Sequence, residues 1–144
     1  MPTKPTPLRK LGKDGPLVPA LGQGLMGLSV AYGTIPNDEE RFKLLDRAVE
    51  IGSTFWDSAD LYGDSEALIG KWFERTGKRS EIFLASKFGY VGKVSKEKME
   101  FDIISTGEYC KQACEKSLKQ LGTDYIDLCE FFYLDHLFLF SGFL

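Results

Sequence analysis

The sequence predicts an α/β fold of the (β/α)8 barrel type, with about the first four strands of such a barrel present behind an N-terminal β-hairpin. Strand-length apolar runs alternate with amphipathic helical stretches from Ala20 onward, and glycines follow the helices. Asp57 and Lys87 also close two successive apolar runs. Right-handed parallel units bring all strand carboxyl ends to one rim, which is where a barrel gathers its reactive side chains.

Leu8 to Leu11 and Leu17 to Leu21 flank Gly12-Lys13-Asp14-Gly15, a hairpin signal. Ala20 to Leu28 then reads as a buried strand. After a loop containing Gly33 and Pro36, Asn37 can cap a helix and Glu40 can reach back to it. Phe42, Leu45, Ala48 and Val49 form that helix's apolar stripe, and Gly52 stops it. Thr54 to Asp57 is the next strand. Ser65 opens a helix carrying Leu68, Ile69, Trp72 and Phe73, which ends near Gly77. Ile82 to Ala85 is a third strand and delivers Lys87 at its carboxyl end. Ser105-Thr106-Gly107-Glu108 is a capping box before a helix with Tyr109, Ala113, Ser117, Leu118 and Leu121, ended by Gly122. Tyr125 to Leu128 begins a fourth strand.

The 144 residues are 43% hydrophobic and carry a formal charge of -3 with both signs interspersed, enough for a packed core and without a sustained basic block. Nucleic-acid and anionic-membrane binding therefore have no electrostatic footing. Cys110, Cys114 and Cys129 form no CxxC pair and have no histidine-rich segment beside them, so they read as reduced, buried thiols. No metal site is expected, and the expected location is the cytoplasm. Residues 1–10 hold no apolar stretch of signal-peptide length. Leu137-Phe138-Leu139-Phe140 is apolar but too short to span a bilayer, and it reads as an aggregation-prone segment.

Gly22-Gln23-Gly24-Leu25-Met26-Gly27 matches the dinucleotide-binding pattern G-x-G-x-x-G. That motif works by opening a helix toward a pyrophosphate, whereas here the helix signals begin about ten residues later, past Pro36. The barrel reading instead gives Asp57, Tyr62 and Lys87 a shared chemistry. A phenol has an ordinary pKa of about 10, so it donates a proton at neutral pH only beside a cation that stabilises its phenolate. Lys87 can be that cation, and Asp57 can keep it charged and oriented.

Taken in order, these residues resemble the aldo-keto reductase family. The resemblance runs through the Leu8 to Leu21 hairpin, Leu21 to Leu28, Asp57-Ser58-Ala59-Asp60-Leu61-Tyr62-Gly63 with Glu66 and Gly70, and Phe83-Leu84-Ala85-Ser86-Lys87. It continues through Leu121-Gly122-Thr123-Asp124-Tyr125-Ile126-Asp127-Leu128. The resemblance implies NADPH-dependent reduction of aldehydes or ketones. Tyr62 matches the proton donor, Lys87 its activating cation and Asp57 the carboxylate paired with that cation. Gly24, Leu25 and Met26, with Asp57, match the cofactor-binding positions beside the nicotinamide ribose.

The family's substrate-orienting histidine falls at Phe132, and His136 lies four residues beyond it. Residues 1–128 thus read as the N-terminal half of a reductase barrel, and residues 129–144 as a non-family tail. The codons for Cys129 to Tyr133 can take the form of a splice donor, so the tail reads as intron read-through. The full-length form is expected to be the enzyme and this chain to be inactive. The alternative is a non-catalytic half-barrel subunit or decoy. Expected partners are a small carbonyl substrate in the full form, together with self-association or a homologous subunit through the open strand edges.

Overall fold

Four parallel strands lie side by side in the order in which the chain makes them. In the computed structural model, which describes residues 6–94 and 99–131, they are β3 (Gln23–Gly24), β4 (Phe55–Asp57), β5 (Phe83–Phe88) and β8 (Leu128–Phe131). Gly24 pairs with Asp57, Asp57 with Ala85, and Ser86 with Cys129. A doubly wound sheet reverses its order at a switch point, and this sheet does not. It is the opening arc of a (β/α)8 barrel. Ahead of it the predicted hairpin pairs β1 (Leu8–Lys10) with β2 (Leu17–Pro19), Arg9 opposite Val18.

Helix starts and stops follow local chemistry. Asn37 accepts a hydrogen bond from the Glu40 amide at 3.0 Å and opens α2 (Asp38–Glu50), whose first turn is wholly acidic, as the helix dipole favours. α3 (Ser65–Thr76) ends on Gly77 and α4 (Gly107–Leu121) on Gly122, both in the left-handed conformation that glycine adopts without strain. Thr106, one residue past the start of the expected capping box, caps α4 by accepting from the Tyr109 amide at 3.2 Å.

The core lies between the helices and one face of the sheet. Trp56 and Trp72 are fully buried with ring centroids 4.9 Å apart. Both indole N–H groups are satisfied, by the Ser53 carbonyl at 2.9 Å and by Asp46 at 2.8 Å. Burying about 200 Å² on each indole contributes on the order of 5 kcal/mol before chain entropy is counted. Leu45, Leu68, Leu84 and Leu121 complete this centre, each at most 1% exposed. α3 and α4 cross closely at Gly70, where a Cβ would meet the Gln120 carbonyl oxygen at 2.4 Å.

Several expectations are corrected. The strand expected over Ala20 to Leu28 is only β3, followed by a single turn, α1 (Met26–Ser29). Gly22, Gly24 and Gly27 bring no side chain to pack, while Leu25 turns into the core and its amide donates to the Asp57 carbonyl at 2.9 Å. β5 runs from Phe83 to Phe88 rather than from Ile82 to Ala85, and Lys87 is its penultimate residue, still at the carboxyl end. The fourth strand starts at Leu128 rather than Tyr125, because the Asp127 carboxylate accepts from the Leu84 amide at 2.9 Å in place of a ladder carbonyl.

A second hairpin, β6 (Tyr90–Val94) with β7 (Met99–Ile103), had no counterpart in the sequence reading. The thiols are free, but Cys110 and Cys114 are only partly buried and Cys129 is exposed. Residues 132–144, with Phe132 and His136, lie outside the described residues. Among the described residues, no helix is long and apolar enough to cross a membrane.

Candidate active site

Alternation along β4 and β5 assigns each side chain a face. Trp56 and Leu84 point toward the helices, so Phe55, Asp57, Phe83 and Lys87 take the inner face, where the Phe55 and Phe83 rings meet edge to face at 5.2 Å. Asp57 ends β4 and is paired by register with Ala85, two residues before Lys87. The Lys87 ammonium closes that gap. Its Nζ donates to Asp57 Oδ1 at 2.7 Å and to the Ser58 carbonyl at 2.6 Å. The lysine side chain is 12% exposed and the aspartate 43%, so the pair is half open to solvent.

Tyr62 arrives from the turn after β4. Its amide donates to the Ala59 carbonyl at 3.1 Å, and its carbonyl accepts from the Ser65 amide at 3.0 Å, so the turn is tied at both ends. Lys87 Nζ lies 5.1 Å from the Tyr62 ring centroid, within cation–π range. Gly63 is left-handed, with a φ of 59°, and a Cβ there would lie 3.0 Å from the Ser29 carbonyl. That close approach presses the Tyr62 turn against α1. Asp57, Tyr62 and Lys87, picked out in the sequence, therefore come together.

Arg41 locks the same two loops from behind. It is 5% exposed, and its guanidinium donates to both Asp64 oxygens at 2.8 and 2.9 Å, to the Leu28 carbonyl and to Ser29 Oγ, each at 3.2 Å. It also pairs with Asp38. The Asp64 bond, opposed by burial, is the largest influence raising the Arg41 pKa above the usual arginine value, and Arg41 in turn holds the Asp64 carboxyl below the usual carboxylate range. Nothing in the sequence marked Arg41, because an arginine on an amphipathic helix ordinarily belongs to the solvated face.

The first-strand loop meets the site through its backbone. Gly24 is exposed, and a Cβ on it would meet nothing within 4 Å, so open space lies above the strand end beside Asp57. The Leu25 side chain is 1% exposed in the core, which leaves only its backbone at the rim, and Met26 is half-buried. A small crevice is lined by Ala59, Asp60, Leu61, Tyr62, Lys87 and Tyr90.

Asp60 and Tyr90 were not marked in the sequence. Burial first, and then the nearby Glu66, push the Asp60 carboxyl up to about 6. Tyr90 belongs to the unforeseen hairpin, so no motif signalled it. Among the described residues, no group of three or more histidine, cysteine, aspartate or glutamate side chains could hold a metal ion.

A model of the aldo/keto reductase family matches residues 20–137. Aldo-keto reductase str7 of Strobilurus tenacellus is 49% identical over 129 residues, covering 86% of this chain and 35% of that protein. Aldo-keto reductase yakc [NADP(+)] of Schizosaccharomyces pombe is 47% identical over 125 residues, covering 85% of this chain and 35% of that protein. The holo structure of an aldo-keto reductase from Bacillus halodurans superposes with a TM-score of 0.71 at 33% identity, over 86% of this chain and 39% of its own. The chain thus spans little more than a third of the length of the curated relatives it matches. With its parallel strand order and its family match over most of its length, the chain belongs to the aldo/keto reductase family.

Proposed function

We propose that the site performs, in the full-length protein, the reduction of aldehydes or ketones to alcohols with NADPH, with Tyr62 as general acid. The observation that carries this reading is the single ammonium of Lys87, held 2.7 Å from Asp57 Oδ1 and 5.1 Å from the Tyr62 ring centroid. As the carbonyl oxygen gains negative charge, the Tyr62 hydroxyl gives it a proton. The phenolate left behind is stabilised by Lys87, and Asp57 keeps that ammonium in place. Solvent then returns the proton to the phenolate.

The residues present fit the nicotinamide end of the cofactor, since the Gly24 position is open where a side chain would otherwise fill the rim. Gly24, the backbone of Leu25, Met26 and Asp57 would hold that end. Bound there, NADPH would supply the hydride to the carbonyl carbon. Its use by this protein is supported by the NADP(+) in the name of the fission-yeast relative.

The test compares wild type with Tyr62→Phe in whichever product of the gene, the 144-residue chain or a longer one, oxidises NADPH with a small aldehyde. Turnover should fall by about 10²- to 10⁴-fold, with NADPH binding, read by its fluorescence, unchanged. Undiminished turnover in Tyr62→Phe would overturn the assignment.

A further inference from the structure

α3 begins directly behind the Tyr62 turn, and its first two residues, Ser65 and Glu66, are each 1% exposed. Both reach sideways to the chain neighbours of the site residues. Ser65 Oγ lies 2.9 Å from Ser58 Oγ, next to Asp57, and Ser86 Oγ donates to Glu66 Oε1 at 2.6 Å, next to Lys87. Ser58 in turn offers its carbonyl to the Lys87 ammonium. The first turn of α3 thus grips both strands immediately beside the Asp57–Lys87 pair.

Strand geometry gives the Ser86 bond its effect. Successive side chains point to opposite faces, so fixing Ser86 on the helix side fixes the pleat from which Lys87 leaves on the inner side. A buried carboxyl is an expensive way to fill space. Burial is the largest influence on Glu66 and raises its carboxyl, against which Ser86 first, then Ser117 and the charge of Lys116, pull only partly. An apolar residue of similar size would avoid the desolvation. A helix-dipole role is served equally well by an exposed carboxylate. Neither packing nor the dipole requires a buried acid aimed at Ser86.

We propose that Glu66 is a positioning residue for Lys87, acting through the Ser86 hydroxyl to hold the ammonium on Asp57 and the Ser58 carbonyl. Its bearing on catalysis rests on the reading of Lys87 given above, but its test does not use turnover. The full 144-residue chain, labelled with ¹⁵N-lysine, is followed by the Nζ–Hζ correlation of its ammonium groups, with Lys87→Met assigning the signal. Wild type should show one ammonium whose hydrogens exchange slowly with water. Ser86→Ala, which removes one oxygen, and Glu66→Ala should each speed that exchange about tenfold or abolish the signal.

Glu66→Gln keeps an acceptor for Ser86 and should restore slow exchange, which general damage to packing would not allow. Tryptophan fluorescence verifies that each variant is folded, and Ser86→Ala decides the matter where Glu66→Ala is not. Equal exchange in wild type and Ser86→Ala overturns the proposal, as does a Lys87 ammonium already unprotected in wild type. A protected, Ser86-dependent ammonium together with a neutral Tyr62→Phe would leave this positioning intact and remove the reductase reading instead.

Discussion

Lys87 Nζ sits 5.1 Å from the centre of the Tyr62 ring while donating to Asp57 Oδ1 at 2.7 Å, so one cation faces both a phenol and a carboxylate. Lys87→Met keeps the stem and removes that charge. In the proposed reaction it should lower kcat by about 10²-fold or more while leaving NADPH binding within a few-fold. Lys87→Arg should not rescue it, because a planar guanidinium with a rigid fork of donors replaces a compact ammonium that donates to Asp57 Oδ1 and to the Ser58 carbonyl. Steady-state kinetics with a small aldehyde, alongside NADPH fluorescence titration, check both outcomes.

Gly70 carries a different kind of constraint. In an exposed helix its replacement by alanine would stabilise by about 1 kcal/mol. Here the new methyl would sit 2.4 Å from the Gln120 carbonyl oxygen and 3.1 Å from that of Leu121, both backbone atoms of α4. The helices must separate, and Gly70→Ala should therefore cost about 2 kcal/mol of stability, the usual range for overpacking. Urea denaturation followed by tryptophan fluorescence measures it, since Trp56 and Trp72 both lie in the core between sheet and helices. A stabilised variant would mean that the crossing is looser than the structure has it.

Asp64→Ala tests the clamp between the two loops. The carboxylate itself is half exposed, with 52% of its side chain accessible, but its partner Arg41 is only 5% exposed and would lose its bidentate acceptor. The cost should be about 1–3 kcal/mol. The Arg47–Glu50 pair, with both side chains 62% exposed, should contribute much less when broken. Arg41 holds the Asp64 carboxyl below its ordinary value, so its stabilisation is present above about pH 4 and is lost as the pH falls through the lowered folded-state value. Wild type and Asp64→Ala should then converge in acid, as thermal melts across pH would record.

The local signals in the sequence were strong where side chains act on their own backbone. Asn37, Gly77 and Gly122 stand where the helix boundaries required them, because caps are short-range chemistry. Asp57 and Lys87 were legible because the ends of parallel strands collect on one rim. Ser58, Ser65 and Ser86 were not legible as contacts, since their bonds join residues 7 and 20 positions apart and depend on which face each serine takes. Arg41 was hidden for the same reason, its partner Asp64 lying 23 residues away. The Ala20 to Leu28 strand failed because an apolar run with three glycines carries no alternation to separate a strand from a tight loop.

Asp60 offers the clearest dependence on pH. It lines the crevice with Tyr62 and Lys87, it is influenced from α3 by Glu66 and from α4 by Lys116, and its own charge adds to burial in raising the Tyr109 phenol on α4. Burial and the Glu66 carboxyl raise it to about 6, against which Lys116 and the Leu61 backbone pull only partly. A raised carboxyl favours its protonated form in the folded chain, so its stability contribution is complete below the unfolded value near 4 and is lost as pH rises through about 6. Asp60→Asn keeps the shape without the charge. It should therefore melt higher than wild type at pH 7 to 8, with the difference narrowing through pH 6 and absent below about pH 4. Melting temperatures of the two chains at pH 4 and pH 7.5 decide it, and a gap equally large at both would show that the effect of Asp60 is packing rather than charge.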